Sequence, residues 1–424
     1  MAKPPLIAVV GLGYVGLPLA VALAWRYDVI GYDSDIARID DLAASHDRTG
    51  ELAQEVLARS ALTLSADPSA INGAEIFIIT VPTPVDAANQ PDLSAVRAAC
   101  RTIGEQIASG AIVVLESTVW PGVTEEICGP EIEASSGLVC GTDFHLGYSP
   151  ERINPGDRIH SVDKIIKIVA GQTPQVAARL ADIYGSITAG GTFVTKSIKV
   201  AEAAKVIENA QRDINIAFVN EIAMIAHKLG IATRDVLEAA ATKWNFLGFE
   251  PGLVGGHCIG VDPYYLAHRA QELGYDSEII LAGRRINDAM GGFIANQVAD
   301  RLEEPDGAPI LILGLTFKEN VPDLRNSQVA DIIETLAARG CQVDVHDPLA
   351  DPLEAKRHYG IELLGDLKGA RRYAAVIGAV PHDTYRGFSC TDLEALVMPD
   401  GLVADVRGLW QNLELAAGIC RWEL

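Results

Sequence analysis

Three groups of residues have types and spacings suited to chemistry. The first is Gly11-Leu-Gly13-Tyr14-Val15-Gly16, which follows the apolar run Leu6–Val10 and opens a helical stretch. In such a turn the first glycine permits the tight bend, the second lets a pyrophosphate approach the backbone, and the third lets helix and strand pack closely. The N-terminus of the helix then offers free N–H groups to the phosphates. Asp33 closes the run Val29–Asp33. An acid there holds ribose hydroxyls and repels a 2′-phosphate, which favours NAD over NADP. A glycine turn needed for geometry alone is the bland alternative, and the registered strand, glycines, helix and acid outweigh it. Asp35 and Arg38 read as surface residues, Arg38 with the option of leaning on the adenosine.

The second group is Pro251-Gly-Leu-Val-Gly255-Gly256-His257-Cys258-Ile-Gly260-Val-Asp262, ahead of a helical stretch Tyr264–Glu272. A thiol at the mouth of a helix has a lowered pKa and more thiolate. Most cysteines are buried and structural, but those sit in apolar strands and helices rather than in a glycine loop, so Cys258 reads as a nucleophile. Asp262, four residues on, can face the same pocket. The third group is Lys205 and Asn209, which share one helix face at i, i+4. Two readings of Lys205 stand level: a residue that acts, or part of a solvated face paired with Glu202 or Glu208.

The elements that must carry these groups follow from periodicity. Short apolar runs at Leu6–Val10, Val29–Asp33, Ile76–Val81, Ile112–Glu116, Phe144–Tyr148, Ile165–Val169 and Phe193–Thr195 alternate with helix-length segments. That pattern predicts βαβ units and a buried parallel sheet. Residues 197–229 contain neither Pro nor Gly and predict one helix roughly 50 Å long, suited to a spine or a dimer interface. Further strands are expected at Ile310–Leu313, Gln342–Val345, Ala374–Ala379 and Gly401–Ala404, after a linker at Glu303–Pro309. The fold class is therefore α/β: two Rossmann-like, doubly wound domains joined by a long central helix and a helical middle domain. The expected domains are 1–196, 197–302 and 303–424.

Composition narrows the function. Of 424 residues 49% are hydrophobic, enough for large cores and too many for a disordered chain. Lys plus Arg number 34 and Asp plus Glu 56, a net charge of −22, which argues against nucleic-acid and anionic-membrane partners. The seven cysteines are scattered without a CxxC pair, and the histidines show no ligand spacing, so no metal is expected. No apolar run approaches a membrane span, and the start lacks a signal-peptide layout. A reducing, cytoplasmic location is the expectation.

Taken together, GLGYVGLPLA, ITVPTPV, ESTVWPG, GYSPERINPGD, KVAEAAKVIEN, PGLVGGHCIGVDPYYL and GLTFKENVPDLRNS resemble the nucleotide-sugar 6-dehydrogenases, the UDP-glucose/GDP-mannose dehydrogenase family. With KWNF ahead of the cysteine loop, the chain is most similar to the branch acting on UDP-N-acetylhexosamines. The resemblance implies NAD as cofactor and a UDP-sugar as substrate, with the C6 alcohol oxidised to a carboxylate by two hydride removals. Cys258 matches the nucleophile, Lys205 and Asn209 the donors to the oxyanion, and Asp262 an acid near the thiol. Glu151 matches the base for hydrolysis, and Thr118 a threonine that orders water. It also implies NAD contacts at Tyr14, Val15, Thr83, Thr118 and Arg325. Substrate contacts are implied at Arg152, Phe246, Leu247, Gly255, Lys318 and Arg407. The domains become an NAD-binding domain, a central dimerisation domain carrying the cysteine loop, and a UDP-sugar-binding domain. A homodimer through the long helix is expected. Two departures stand out. Pro155 replaces a second glutamate of the UDP-glucose branch, so water activation rests on Glu151. His257 precedes the cysteine where that branch carries another residue; it bonds the thiol, fits an acetamido group or is structural.

Overall fold

The computed structural model describes residues 4–86, 88–152, 164–256 and 259–424. The chain divides into two compact units: Met1–Glu208 with Tyr264–Asp276, and Asn209–Pro263 with Ser277–Leu424.

The first unit is built on eight strands: β1 (Leu6–Val10), β2 (Asp28–Tyr32), β3 (Thr63–Ser65), β4 (Ile76–Ile79), β5 (Ile112–Leu115), β6 (His145–Tyr148), β7 (Lys167–Gly171) and β8 (Thr192–Val194). Their order is β3-β2-β1-β4-β5-β6-β7-β8. The first six strands have the order of a dinucleotide-binding sheet, with the direction of winding reversing between β1 and β4. Ile7, Val9, Ile76, Ile78, Ile112 and Val114 pack in one core with Leu17 and Val21 of the helix Gly16–Ala24. Two expectations need correction. The short β3 was not anticipated, because TLS carries too little apolar signal. The sheet is also not wholly parallel: β7 pairs antiparallel with β6, Tyr148 opposite Ala170. An antiparallel neighbour needs no crossover helix.

The second unit holds β9 (Pro309–Leu313), β10 (Gln342–His346), β11 (Tyr373–Gly378), β12 (Val397–Asp405) and β13 (Cys420–Glu423), in the order β10-β9-β11-β12-β13. All pairs are parallel. This is the other common doubly wound order, with its switch point between β9 and β11. Alternate residues of β9 feed two cores: Ile310 and Ile312 on one face, Leu311 and Leu313 on the other. Burial on both faces explains why β9 reads as a continuous apolar run. β13 was missed because CRWE has no such run.

The helix predicted from the Pro- and Gly-free stretch spans Ile198–Leu229. Helices Thr233–Ala241, Asp262–Glu272, Glu278–Asp288 and Met290–Ala299 follow. Among the described residues no helix is long and apolar enough to cross a membrane, and no group of three or more His, Cys, Asp or Glu is arranged to hold a metal ion.

Candidate active site

In the first unit the candidate residues lie just beyond the carboxyl ends of the strands, where ligands bind in open α/β sheets. Gly11 follows β1 with φ +95°, a conformation that favours glycine. A Cβ on Gly16 would stand 1.8 Å from the Gly11 carbonyl oxygen and 2.4 Å from Thr80 Oγ1, so helix and strand pack on bare backbone there. A Cβ on Gly13 would meet nothing within 4 Å. Gly13 is therefore not held by packing, and the space over it is the cradle a pyrophosphate needs. Thr80 donates to the Gly11 carbonyl at 2.6 Å and fixes the turn. Asp33, directly after β2, accepts from Leu12 N–H at 2.8 Å and from Asp35 N–H at 3.0 Å; each oxygen keeps a lone pair for a ribose hydroxyl. Tyr14 and Val15 complete the turn, Val15 as the residue before the first helical one. These residues fit a dinucleotide.

Asp35 is exposed, as expected, and caps the next helix by accepting from Ala37 N–H. Arg38 is not a surface residue. It is 2% exposed, donates from Nε to the Leu12 carbonyl at 2.9 Å and pairs with Asp47 at 2.8 Å. It braces the glycine turn from below, a contact between residues 26 apart that spacing does not reveal. Thr83 Oγ1 donates to the Thr118 carbonyl at 2.8 Å, joining the loops after β4 and β5. The Tyr265 hydroxyl donates to the carbonyls of Thr83 (2.8 Å) and Pro84 (3.2 Å).

Lys205 is 7% exposed, and neither expected partner holds it. Glu202 is fully buried and accepts from Gly122 N–H (2.6 Å), Thr124 N–H (2.9 Å) and Thr124 Oγ1 (2.6 Å). Burial pushes its carboxyl up against the effect of those donors. Glu208 takes Arg152 at 2.7 Å, and Arg152 also donates to the Ile166 carbonyl. The solvated salt-bridging face is thus overturned.

Glu151 is 9% exposed and accepts from Arg152 N–H at 2.6 Å. Near it are two charged residues that the sequence reading passed over. Lys167, the first residue of β7, donates to Glu116, the residue after β5, at 2.9 and 3.2 Å, and to the Pro150 carbonyl at 3.2 Å. Its Nζ lies 4.0 Å from Glu151. Burial pushes the Glu116 carboxyl up despite Lys167. The available signal was a lysine inside the apolar run IIKIV and a glutamate closing IVVLE, because charges in buried strands need partners.

The second unit carries the loop around the cysteine. Cys258 and His257 lie outside the described residues, as does Pro155. The flanks are tied down. Asn220 clamps Gly252, donating to its carbonyl at 3.0 Å and accepting from its N–H at 2.8 Å. Val254 N–H donates to Gln328 (2.9 Å), and Asn326 donates to the Gly256 carbonyl (3.1 Å). On the far side Asp262, 2% exposed, accepts from Asn209 Nδ2 at 2.5 Å. The structure thus brings Asn209 and Asp262 together.

A cavity of about 190 Å³ lies in this unit, lined by Gly255, Lys318 and Arg407 with Val254, Phe317 and Val380. Three of the six substrate candidates meet there. The turn carrying Lys318 leaves β9 and the segment Ala379–Pro381 leaves β11, so the cavity opens at the switch point of the second sheet. Gly255 admits no side chain, since a Cβ would lie 2.6 Å from the Asn326 carbonyl oxygen. The Lys318 turn is anchored from beneath. Asn320 N–H donates to His382 Nδ1 (3.0 Å), so Nε2 carries the proton and reaches Asp347 at 3.1 Å. Burial favours the protonated form of Asp347. The His382 imidazole and the N–H groups of Leu315 and Thr316 outweigh it and hold the carboxyl well below the usual range. Arg407 donates to the Pro251 carbonyl at 3.2 Å. Phe246 lines a second cavity of about 370 Å³, to which Arg407 also contributes, and Leu247 is exposed. Arg325 pairs with Asp323 at 2.6 Å.

A dinucleotide cradle on one doubly wound sheet and a ligand cavity at the switch point of another are the parts an NAD-dependent dehydrogenase with a second ligand-binding domain requires. Residues 5–188 match the NAD binding domain of the UDP-glucose/GDP-mannose dehydrogenase family, residues 199–289 its central domain and residues 311–412 its UDP binding domain; the chain belongs to this family. It is 50% identical to Protein CapL of Staphylococcus aureus, covering 99% of both chains. It is 48% identical to a UDP-N-acetyl-D-glucosamine 6-dehydrogenase of Pseudomonas aeruginosa, covering 95% of this chain and 96% of the other. Among solved structures it resembles a UDP-D-ManNAc dehydrogenase from Pyrococcus horikoshii, with TM-score 0.88, 31% identity and coverage of 99% and 98%.

Proposed function

We propose that the protein oxidises the C6 hydroxyl of a UDP-N-acetylhexosamine, UDP-GlcNAc or UDP-GalNAc, to the uronic acid, supplying a precursor for a polysaccharide. The 48% identity to a protein named for UDP-N-acetyl-D-glucosamine supports this sugar class over UDP-glucose. The cavity that gathers Gly255, Lys318 and Arg407 beside the pinned cysteine loop is the observation that carries the reading.

Two NAD molecules, bound one after the other over Gly13 and Asp33, would each supply the acceptor for one hydride. The residues of the chain do the rest. Lys318 and Arg407 provide the cations and Gly255 the backbone surface for the UDP-sugar. Cys258, as thiolate, adds to the C6 aldehyde to give a thiohemiacetal, which becomes a thioester after the second oxidation. Lys205 and Asn209 stabilise the oxyanion as donors already in place. Asp262, anchored by Asn209, handles the proton at the thiol. Thr118 orders a water and Glu151 takes its proton. The water oxygen adds to the thioester carbon, the C–S bond breaks, and the thiolate leaves.

The long helix supports an isologous homodimer. Val200, Ile207, Phe218, Ile225 and Leu229 are each about half exposed or more. At roughly 100° per residue they fall within about 20° of one line along the helix. Such an apolar stripe on a helix is suited to a second copy of itself. Free cysteines fit a reducing cytoplasm.

The test is the NADH yield per nucleotide sugar, with UDP-GlcNAc, UDP-GalNAc and UDP-glucose each limiting. Two NADH per UDP-N-acetylhexosamine is the expected result. One NADH per sugar removes the thioester role from Cys258, and turnover of UDP-glucose alone overturns the sugar class.

A further inference from the structure

Glu116, Lys167 and Glu151 form a trio of charges in a pocket where water barely reaches. Glu116 is 0% and Lys167 1% exposed. One ammonium is shared between two carboxylates, at 2.9 Å from Glu116 and 4.0 Å from Glu151. The same Nζ donates to the carbonyl of Pro150, the residue before Glu151, at 3.2 Å. It also stands over the ring of the fully buried Tyr184, 5.1 Å from the centroid. Buried ion pairs of this kind are poor investments in stability, because apolar residues of the same size usually do as well. A buried cation tied both to the backbone beside Glu151 and to a second acid calls for another role.

We propose that Glu116 and Lys167 are positioning residues for Glu151: Lys167 fixes the backbone that presents the Glu151 carboxylate, and the trio's one excess negative charge sets its affinity for a proton. This rests on the reading of Glu151 as the base of the hydrolytic step. The logic is electrostatic. A carboxylate paired one-to-one with a buried lysine is a weak base, because taking a proton strands the cation. Here the trio starts at −1, and the proton taken from water brings it to zero. Glu116 stays behind to keep Lys167 paired. The pair lends Glu151 a second acid in a chain that has Pro155 where the UDP-glucose branch carries its second glutamate.

Other charges face Glu151 among the described residues. Arg152 is next in sequence and engaged by Glu208. Tyr184, on the helix Pro174–Gly185, has its hydroxyl pushed up by burial and by the Glu116 carboxylate, so it stays neutral through the working range.

The experiment is the pH profile of NADH formation by the full-length enzyme at saturating NAD and sugar, with Glu116→Gln, Lys167→Met, the double variant and Glu151→Gln. Glu151→Gln is expected to release about two NADH per active site and then stall as the thioester; if it turns over freely, the underlying reading of Glu151 fails and the proposal with it. Given the stall, Glu116→Gln should move the acid limb to lower pH, and Lys167→Met should move it to higher pH by about one unit. The double variant should move less than either. Acid limbs that superimpose on that of the unmodified enzyme, or both single variants shifting in one direction, would overturn the proposal. Should Lys167→Met fail to fold, Glu116→Gln decides alone, since its side chain keeps the shape and still accepts from Lys167.

Discussion

Gly13 and Gly16 belong to one six-residue motif, yet the structure separates their roles, and substituting each by alanine should give opposite results. At Gly16 a methyl group would stand 1.8 Å from a backbone oxygen, so the turn must open; overpacking of this kind costs about 1–3 kcal/mol or more. At Gly13 the same methyl meets nothing within 4 Å, and φ lies outside the left-handed region. Removing a glycine from such a position stabilises by about 0.4–1 kcal/mol through the unfolded chain. Gly13→Ala should therefore melt at or slightly above the temperature of the unmodified protein without NAD. Its methyl group fills the space a pyrophosphate needs. NAD at one hundred times its Kd stabilises by about 2.7 kcal/mol, roughly 5–11 °C for a unit of this size. That shift should nearly vanish in Gly13→Ala. Differential scanning fluorimetry with and without NAD reads both quantities. A Gly13→Ala protein that melts early without NAD, or keeps the full NAD shift, would refute the reasoning.

Four further outcomes follow. Cys258→Ser should leave NAD and UDP-sugar binding intact by calorimetry while steady NADH formation falls by at least about a hundredfold, the range of an activated nucleophile's loss. Glu202→Ala strands three donors around Gly122 and Thr124; urea denaturation should show a loss of about 3 kcal/mol or more. Asp347 has a depressed pKa in the folded state, so its contribution is fully present above about pH 4 and drains away as pH falls toward its folded value. Asp347→Asn should lower stability at pH 7 and flatten its slope between about pH 4 and pH 2, measured by thermal melts across that window. The proposed homodimer should sediment as a dimer on analytical ultracentrifugation, and Phe218→Asp, in the middle of the exposed stripe, should sediment as a monomer without a change in the far-ultraviolet circular dichroism.

Much of this architecture was legible because its strands are buried on both faces and so read as apolar runs. Leu6–Val10 and Ile310–Leu313 needed no tertiary information, and the long helix announced itself by excluding Gly and Pro over a whole stretch. The short strands Thr63–Ser65 and Cys420–Glu423 were invisible, because TLS and CRWE carry no apolar run and become strands only by pairing with β2 and β12. The glycine motif was legible because its spacing belongs to one local turn, in which Gly11 and Gly16 answer backbone needs and Gly13 leaves room for the ligand. The trio around Glu151 was not: Glu116 and Lys167 lie 51 positions apart, and nothing local says that two charges in separate apolar runs will meet. Arg38 was misplaced for the same reason, its partner Asp47 and the Leu12 carbonyl being brought to it only by the folded turn.

The reversal of β7 has a geometric consequence. In a parallel sheet only the closing residues of each strand reach the rim where ligands sit, while opening residues lie at the far rim, roughly 15 Å away for strands of this length. Turning β7 round, with β8 alongside it, delivers the first residue of β7, Lys167, to the working rim beside Pro150 and Glu151. The helix that follows β7 then runs back, so its last turn sets Tyr184 beneath the lysine. Of the two strands that depart from the Rossmann pattern, β7 and β8, β7 is thus the one that lets a residue from the start of a strand join residues from the ends of others.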